Sequence, residues 1–396
     1  MPIRYNQIAI YALYMMIPAI IYSKALITIC YVIIVLMGIL SFITNRSAKW
    51  DAHLGALLLI GIPMVLSGIN SANFDQWLHH VTIKLPFIIV PVSFMILPRV
   101  RGKVILRLHI FLLFVLTVSV MPILMDLALD FESVIDRISM GQPMNTPVEH
   151  VKYSMFISYA IVSGSIWSTV YRDQLTRETL WFVLATVIFL FVSLHLMAIR
   201  TGLIISYFSL GLLGVYYVMR IKISWRQKMI YGSLAFLLVF ALFKTPMIQA
   251  KLGYMLYDWS LYKQNGGFHY SDSERLYSIN VGFQLWKDHL FMGTGIGDLL
   301  ASCDTLYLAN GRTEILNYPH SQFIFMLAGT GIIGIIIFLL GYLYPLVRLP
   351  NKYRLLLIAL YTNYTLSFLV ENSLERSISV AFFILFVVPL IYQEPD

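Results

Sequence analysis

Tyr318–Val347 reads YPHSQFIFMLAGTGIIGIIIFLLGYLYPLV. From Ser321 to Val347 no side chain carries a formal charge, and about 20 apolar residues suffice to cross a hydrocarbon core of about 30 Å as a helix. The stretch is therefore a membrane span, with a proline and a histidine standing at its mouth.

The same signature recurs outward in both directions. Apolar runs fall near Ile8 to Tyr22, Ala25 to Ile43, His53 to Ile69, Ile83 to Leu97, Val104 to Leu124, Tyr153 to Val170, Leu180 to Leu194 and Gly202 to Met219. Others follow at Ile230 to Phe243, Ser321 to Val347, Tyr353 to Val370 and Ile378 to Tyr392. The expectation is an all-α polytopic membrane protein of about 12 helices. The first run lacks a small-residue cleavage site and is expected to be retained. Composition agrees: hydrophobic residues make up 59% of the 396-residue chain and charged ones 12%, with mean hydropathy +0.77. Soluble chains are roughly half apolar and a quarter charged. The whole chain, 1–396, reads as one integral membrane domain.

Short loops rich in Lys and Arg stay in the cytoplasm. Alternate connections carry them: Arg46 and Lys49; Arg99, Arg101 and Lys103; Arg172 and Arg177; Arg220, Lys222, Arg226 and Lys228; Arg348, Lys352 and Arg354. Both termini fall on that cytoplasmic side. The opposite loops hold most of the acids, and the largest, residues 244–320 between spans nine and ten, is expected outside the cytoplasm. The net charge of +8 is then mainly a topology signal, and no basic patch interleaved with aromatics points to nucleic acid. Cys30 and Cys303 lie at different expected depths, which argues against a disulfide. No Cys/His spacing resembles a zinc site. The adjacent His79 and His80 point in different directions on a helix or strand, so they do not suggest a shared metal.

A transporter, a membrane-embedded enzyme and an assembly scaffold all fit this outline. Transporters place ionisable groups near mid-membrane, whereas the cores of these runs read as nearly free of Asp, Glu, Lys and Arg. Charges gather at span ends on the outer side, which favours chemistry at that interface.

Arg200, in HLMAIRTG, closes the seventh run; it reads as a snorkelling anchor or, being opposite to the positive-inside pattern, as a ligand-holding cation. Arg275 lies in YSDSERLYSINVGFQLW. Ser271 and Glu274 have capping-box spacing, and Leu276, Ile279, Phe283 and Trp286 form an apolar row at helical spacing, as in a helix lying on the outer leaflet. Arg275 in its first turn is a solvated residue or one that grips phosphate in pairs of bonds near a helix N-terminus. The loop MGTGIGD, with Gly293, Gly295 and Gly297, could add backbone donors. Pro319 suits a first helical turn, so Asn317 or Tyr318 would cap the span and His320 would sit in its first turn. A lone interfacial histidine is commonly a packing residue; beside two arginines it is a candidate general base, since imidazole titrates near neutrality.

His320, Ser321, nine further residues, then Gly331 and Gly334 form a pattern that resembles the bacterial O-antigen ligase family. So does the order of landmarks: an Arg followed by Thr and Gly just beyond a span, an outer loop opening a helix with Arg, a GxG turn, and the His motif leading into a span. The resemblance is specific from about Met197 to Phe338 and architectural elsewhere. It implies a membrane glycosyltransferase of the GT-C type that takes a glycan from undecaprenyl diphosphate and attaches it to a sugar hydroxyl of lipid A core, at the periplasmic face of the bacterial inner membrane. The implied mechanism is inverting and metal-independent, with no cofactor. It assigns His320 as general base and Arg200 and Arg275 to the diphosphate. Ser321, Glu371, Glu375 and Lys152 are candidates for binding substrate or orienting the base, with the acidic pair also readable as exposed loop charges. Related scaffolds serve O-antigen polymerases and protein O-oligosaccharyltransferases, and the His motif leans toward ligase. From another class, a lipid-linked glycan transporter would need charged groups lining a deep cavity.

Overall fold

A computed structural model of the chain describes residues 2–220, 224, 226, 227, 229, 232, 233, 240, 241, 243–265, 271–311, 318–347 and 352–394. Among them the protein is helical without a strand, and eight segments are long and apolar enough to cross a membrane. These are Tyr5–Tyr22, Lys24–Asn45, Ala52–Asn70, Phe74–Ile96, Gly102–Leu129, Arg177–Leu196, Arg200–Arg220 and Gln322–Val347. Three more expected runs lie on the helices His150–Thr169, Arg354–Phe368 and Ser377–Ile391. The ninth, Ile230 to Phe243, lies largely outside the described residues, as do Lys222, Lys228, Arg348 and Asn317.

Helix starts follow local chemistry. Asp51 accepts from the backbone N–H groups of His53 and Leu54, Asn73 from that of Gln76, and Thr176 from that of Thr179. Each satisfies donors that a first turn leaves open. Phe74–Lys84 runs through Leu85 into Pro86–Ile96. Pro86 lacks an N–H but is accepted at a helix start, so the two helices form one segment. The span expected from Ile83 thus begins nine residues earlier, at Phe74, which takes in His80 and puts Lys84 near its middle instead of at its end.

The chain divides into two compact units. The first comprises Met1–Phe111 and Arg275–Asp396. At its centre is Ser377–Ile391, in which every side chain from Ile378 to Ile391 is buried, as expected for a helix apolar on all sides. Gln322–Val347 packs along Ala52–Leu66, and Gly341 permits the approach, because a Cβ there would stand 2.7 Å from the Ala56 carbonyl oxygen. The second unit is Leu112–Glu274. Its core is His150–Thr169, packed against Arg177–Leu196 and Arg200–Arg220. Gly202 lies against Ser154, and the Ser206 hydroxyl donates to that of Ser158 at 2.9 Å, the small-residue contact typical of membrane helices.

The 244–320 segment holds three helices: Pro246–Asn265, Ser271–Asp288 and Leu299–Ala309. The cap on Ser271–Asp288 comes from Asp258, which accepts from the N–H groups of Asp272 at 3.0 Å and Ser273 at 3.4 Å. That carboxylate comes from a different helix, Pro246–Asn265. Along the same helix Ser278, Val281, Gly282 and Leu285 are buried. Leu276 and Phe283, from the expected apolar row, face outward with Ile279 and Trp286 partly covered.

Candidate active site

The His motif is fixed residue by residue within the first unit. Pro319 is buried against Gly282, where a Cβ would come within 2.6 Å of the proline ring. The His320 N–H donates to the Ser278 hydroxyl at 3.1 Å, and the Ser321 hydroxyl donates to the Phe368 carbonyl at 2.9 Å. One face of Ser271–Asp288 therefore seats the loop, and Ser321 acts as a tie to the backbone.

Around the His320 ring the charges form a line. Its Nδ1 lies 3.8 Å from Glu371 Oε1, and Glu371 Oε2 lies 3.8 Å from Arg275 Nη2. Both contacts are charge proximity, too long for hydrogen bonds. Glu371 is 5% exposed, whereas His320 and Arg275 are each 23% exposed. The carboxylate is the enclosed member, and the two flanking groups reach solvent. Of the expected site residues, His320, Arg275 and Glu371 come together.

Behind them is a buried polar network. Glu375 Oε1 accepts from Lys84 Nζ at 2.6 Å and from Gln322 Nε2 at 2.8 Å. Its Oε2 is 3.0 Å from His80 Nδ1, and His80 Nε2 is 3.1 Å from the Tyr318 hydroxyl. Lys84 also donates to the Leu374 carbonyl, and the Leu374 N–H donates to Gln322 Oε1 at 2.8 Å. Burial pushes the Glu375 carboxyl up, but the Lys84 charge and the bonds from His80 and Lys84 prevail and hold it at about 2. An ionised carboxylate only accepts, so His80 Nδ1 carries a proton. Tyr318 is pushed up to about 12, by burial first and then by nearby acids.

The two acidic residues of FLVENSLERS are therefore enclosed, although as surface-loop charges they would be solvated. They also share no regular helix: Glu371 follows Arg354–Phe368, and Glu375 ends the short turn Ser373–Glu375. The span cores are not free of charge either, because Lys84 is 1% exposed in the middle of Phe74–Ile96. The sequence reading gave that residue and Gln322 no role, weighed His80 only as a metal ligand and took Tyr318 only as a possible cap. The available signal was a lysine inside the apolar frame TIKLPFIIV.

Gly331 has φ 66° and ψ −170° inside Gln322–Val347, a conformation open essentially to glycine alone. The 290–294 segment docks on that break: the Ile332 N–H donates to Leu290 and the Thr294 N–H to Ala328. The glycine loop is held internally as well. The Gly297 N–H donates to Ser71, and Asp298 accepts from the N–H groups of Ala72 and Asn73. The loop N–H groups of Thr294 and Gly297 thus bind protein, where the sequence suggested anion donors.

In the second unit, Arg200 makes a two-point contact with Asp272, at 2.5 and 2.9 Å. Lys152 is buried with its amine 2.6 Å from Glu149.

An all-helical membrane protein with a histidine, an arginine and a carboxylate gathered at the mouth of a span is the class that fold and site define. Residues 184–339 match the family model described as O-antigen ligase. The chain carries that family's domain across the segment holding Arg200, Arg275 and His320, with a function of the ligase and polymerase type. No curated protein matches the chain.

Proposed function

We propose that the protein is an O-antigen ligase-type glycosyltransferase of the bacterial inner membrane, active at the periplasmic face. It moves a glycan from undecaprenyl diphosphate to a sugar hydroxyl of lipid A core. The observation that carries this reading is the Arg275–Glu371–His320 line at the mouth of Gln322–Val347.

A carboxylate beside Nδ1 favours the tautomer with the proton on that nitrogen and leaves Nε2 as the base. Contacts of this kind tighten when substrate binds. His320 takes the acceptor hydroxyl proton, the freed oxygen attacks the anomeric carbon, and the bond from that carbon to the diphosphate breaks with inversion. Undecaprenyl diphosphate leaves with the electron pair and needs no acid. Arg275 and Arg200 carry the role of holding the diphosphate, for which a planar two-point grip suits arginine better than lysine. For Arg200 that role requires the donor to share or displace Asp272. The reaction needs no metal in this reading, so it is expected to survive EDTA.

A transporter reading gains an intramembrane charge in Lys84, but that charge is buried and paired with Glu375. The test is reconstitution with purified undecaprenyl-diphosphate glycan and, in separate arms, lipid A core or a second donor as acceptor. Transfer to core supports the ligase; chain growth on the second donor makes it a polymerase. His320→Ala is expected to bind donor normally and lose at least roughly a hundredfold in turnover. Arg200→Lys and Arg275→Lys are expected to bind undecaprenyl diphosphate more weakly than wild type. Near-normal turnover in His320→Ala ends the assignment of the base.

A further inference from the structure

The two residues at −2 and +2 from His320 are tied to one buried carboxylate. Tyr318 reaches Glu375 through His80, with contacts of 3.1 and 3.0 Å, and Gln322 reaches it directly at 2.8 Å. Between them, the His320 backbone N–H donates to Ser278. Lys84 neutralises the carboxylate at the oxygen it shares with Gln322. An ion pair sealed in an apolar bundle is a poor device for stability, since desolvation offsets its attraction. A charged group inside a membrane segment ordinarily marks a functional element.

We propose that Glu375, with His80 and Lys84, is a positioning clamp for the proposed catalytic base, holding both ends of the Tyr318–Gln322 loop so that the His320 ring meets the acceptor hydroxyl. The inference rests on the reading of His320 as base. The clamp touches no substrate and acts by geometry. Displacements of about 1 Å at a reacting group lower rates by as much as about a hundredfold, and both arms of the clamp are rigid: one runs through two aromatic rings at 5.4 Å, nearly perpendicular, the other through a fully buried amide.

The decisive variant is Tyr318→Phe, which removes one hydroxyl and leaves the ring that packs on Phe325. Full-length protein in nanodiscs is assayed for transfer, with thermal unfolding as the folding control. A positioning role lowers kcat about tenfold and leaves donor KM within about twofold. Glu375→Gln, which cuts both arms at their root, lowers kcat about a hundredfold if it folds; Tyr318→Phe decides the matter if it does not. On a His320→Ala background, Tyr318→Phe is expected to add almost nothing, because a residue acting through the base has nothing left to position.

Wild-type kcat in Tyr318→Phe, or the same fractional loss with and without His320, overturns the clamp. The two failures are separable. If His320→Ala is inactive while Tyr318→Phe is normal, the clamp alone falls; if His320→Ala turns over normally, the base and the clamp fall together.

Discussion

At Glu375 a single side chain carries opposing terms. Burial raises its pKa, while Lys84 and His80 lower it further, leaving it at about 2 against an ordinary 4.5. A carboxyl depressed on folding contributes stability that is fully present above about 4.5 and lost as pH falls through about 2. In detergent, the unfolding midpoint of the wild type is expected to fall steadily between pH 5 and roughly 2.5. Glu375→Gln starts lower at pH 6 and declines less over that interval, since an amide has no proton to gain. Equal slopes in the two proteins would show that the carboxylate is not held in its ionised form. His320 and Arg275 could be singled out in the sequence as candidates because their neighbours, Pro319 and the start of Ser271–Asp288, are local. Their partner Glu371 was visible only as a candidate, since its enclosure depends on a chain segment about fifty residues downstream of the His motif. A span beginning at Ile83 puts Lys84 at its end, where a lysine reads as an interfacial residue.

Among the helices, the break at Gly331 explains the spacing of the motif. Eleven residues beyond His320, the span interrupts its own hydrogen bonding, and the 290–294 segment supplies the replacement at Ile332. A Cβ on Gly331 would lie 2.2 Å from the Phe291 carbonyl oxygen, in a backbone region nearly closed to other residues. Gly331→Ala is expected to cost about 2–6 kcal/mol, summing conformational strain and overpacking, and to show as a large drop in unfolding midpoint. Gly282→Ala is a different case. Its backbone is helical and its new methyl meets Pro319 and Ile324, so the expected outcome is a displaced His320, with turnover reduced more than tenfold and a smaller change in midpoint. A Gly282→Ala protein with wild-type turnover would show that the seat on Ser271–Asp288 does not set the base. In the sequence, Gly329, Gly331 and Gly334 show that small residues cluster here. The approaching partner proved to be a loop as well as a helix, because periodicity defines a face and says nothing of what covers it.

Over the whole chain, the apolar runs were legible because each span is a local property of about 20 residues, and the basic loops between them carry the orientation. Arg46 and Lys49, Arg99 to Lys103, and Arg172 and Arg177 fall on alternate connections, and each favours retention in the cytoplasm. The structure adds that Arg99 lies 3.7 Å from Asp51 and stacks over Tyr392, near the C-terminus. Val100 also pairs with the Tyr392 carbonyl. The basic 99–103 connection and the C-terminal segment therefore share one end of the first unit, which couples their sidedness. A fluorescent protein that matures only in the cytoplasm, fused after Asp396, is expected to fluoresce in bacterial cells. Alkaline phosphatase inserted at Gly311, where the backbone is exposed, is expected to be active, as it folds only in the oxidising periplasm. A dark C-terminal fusion together with inactive phosphatase would invert the chain and place His320 away from a periplasmic donor. That result would remove the proposed substrate while leaving the geometry of the base intact.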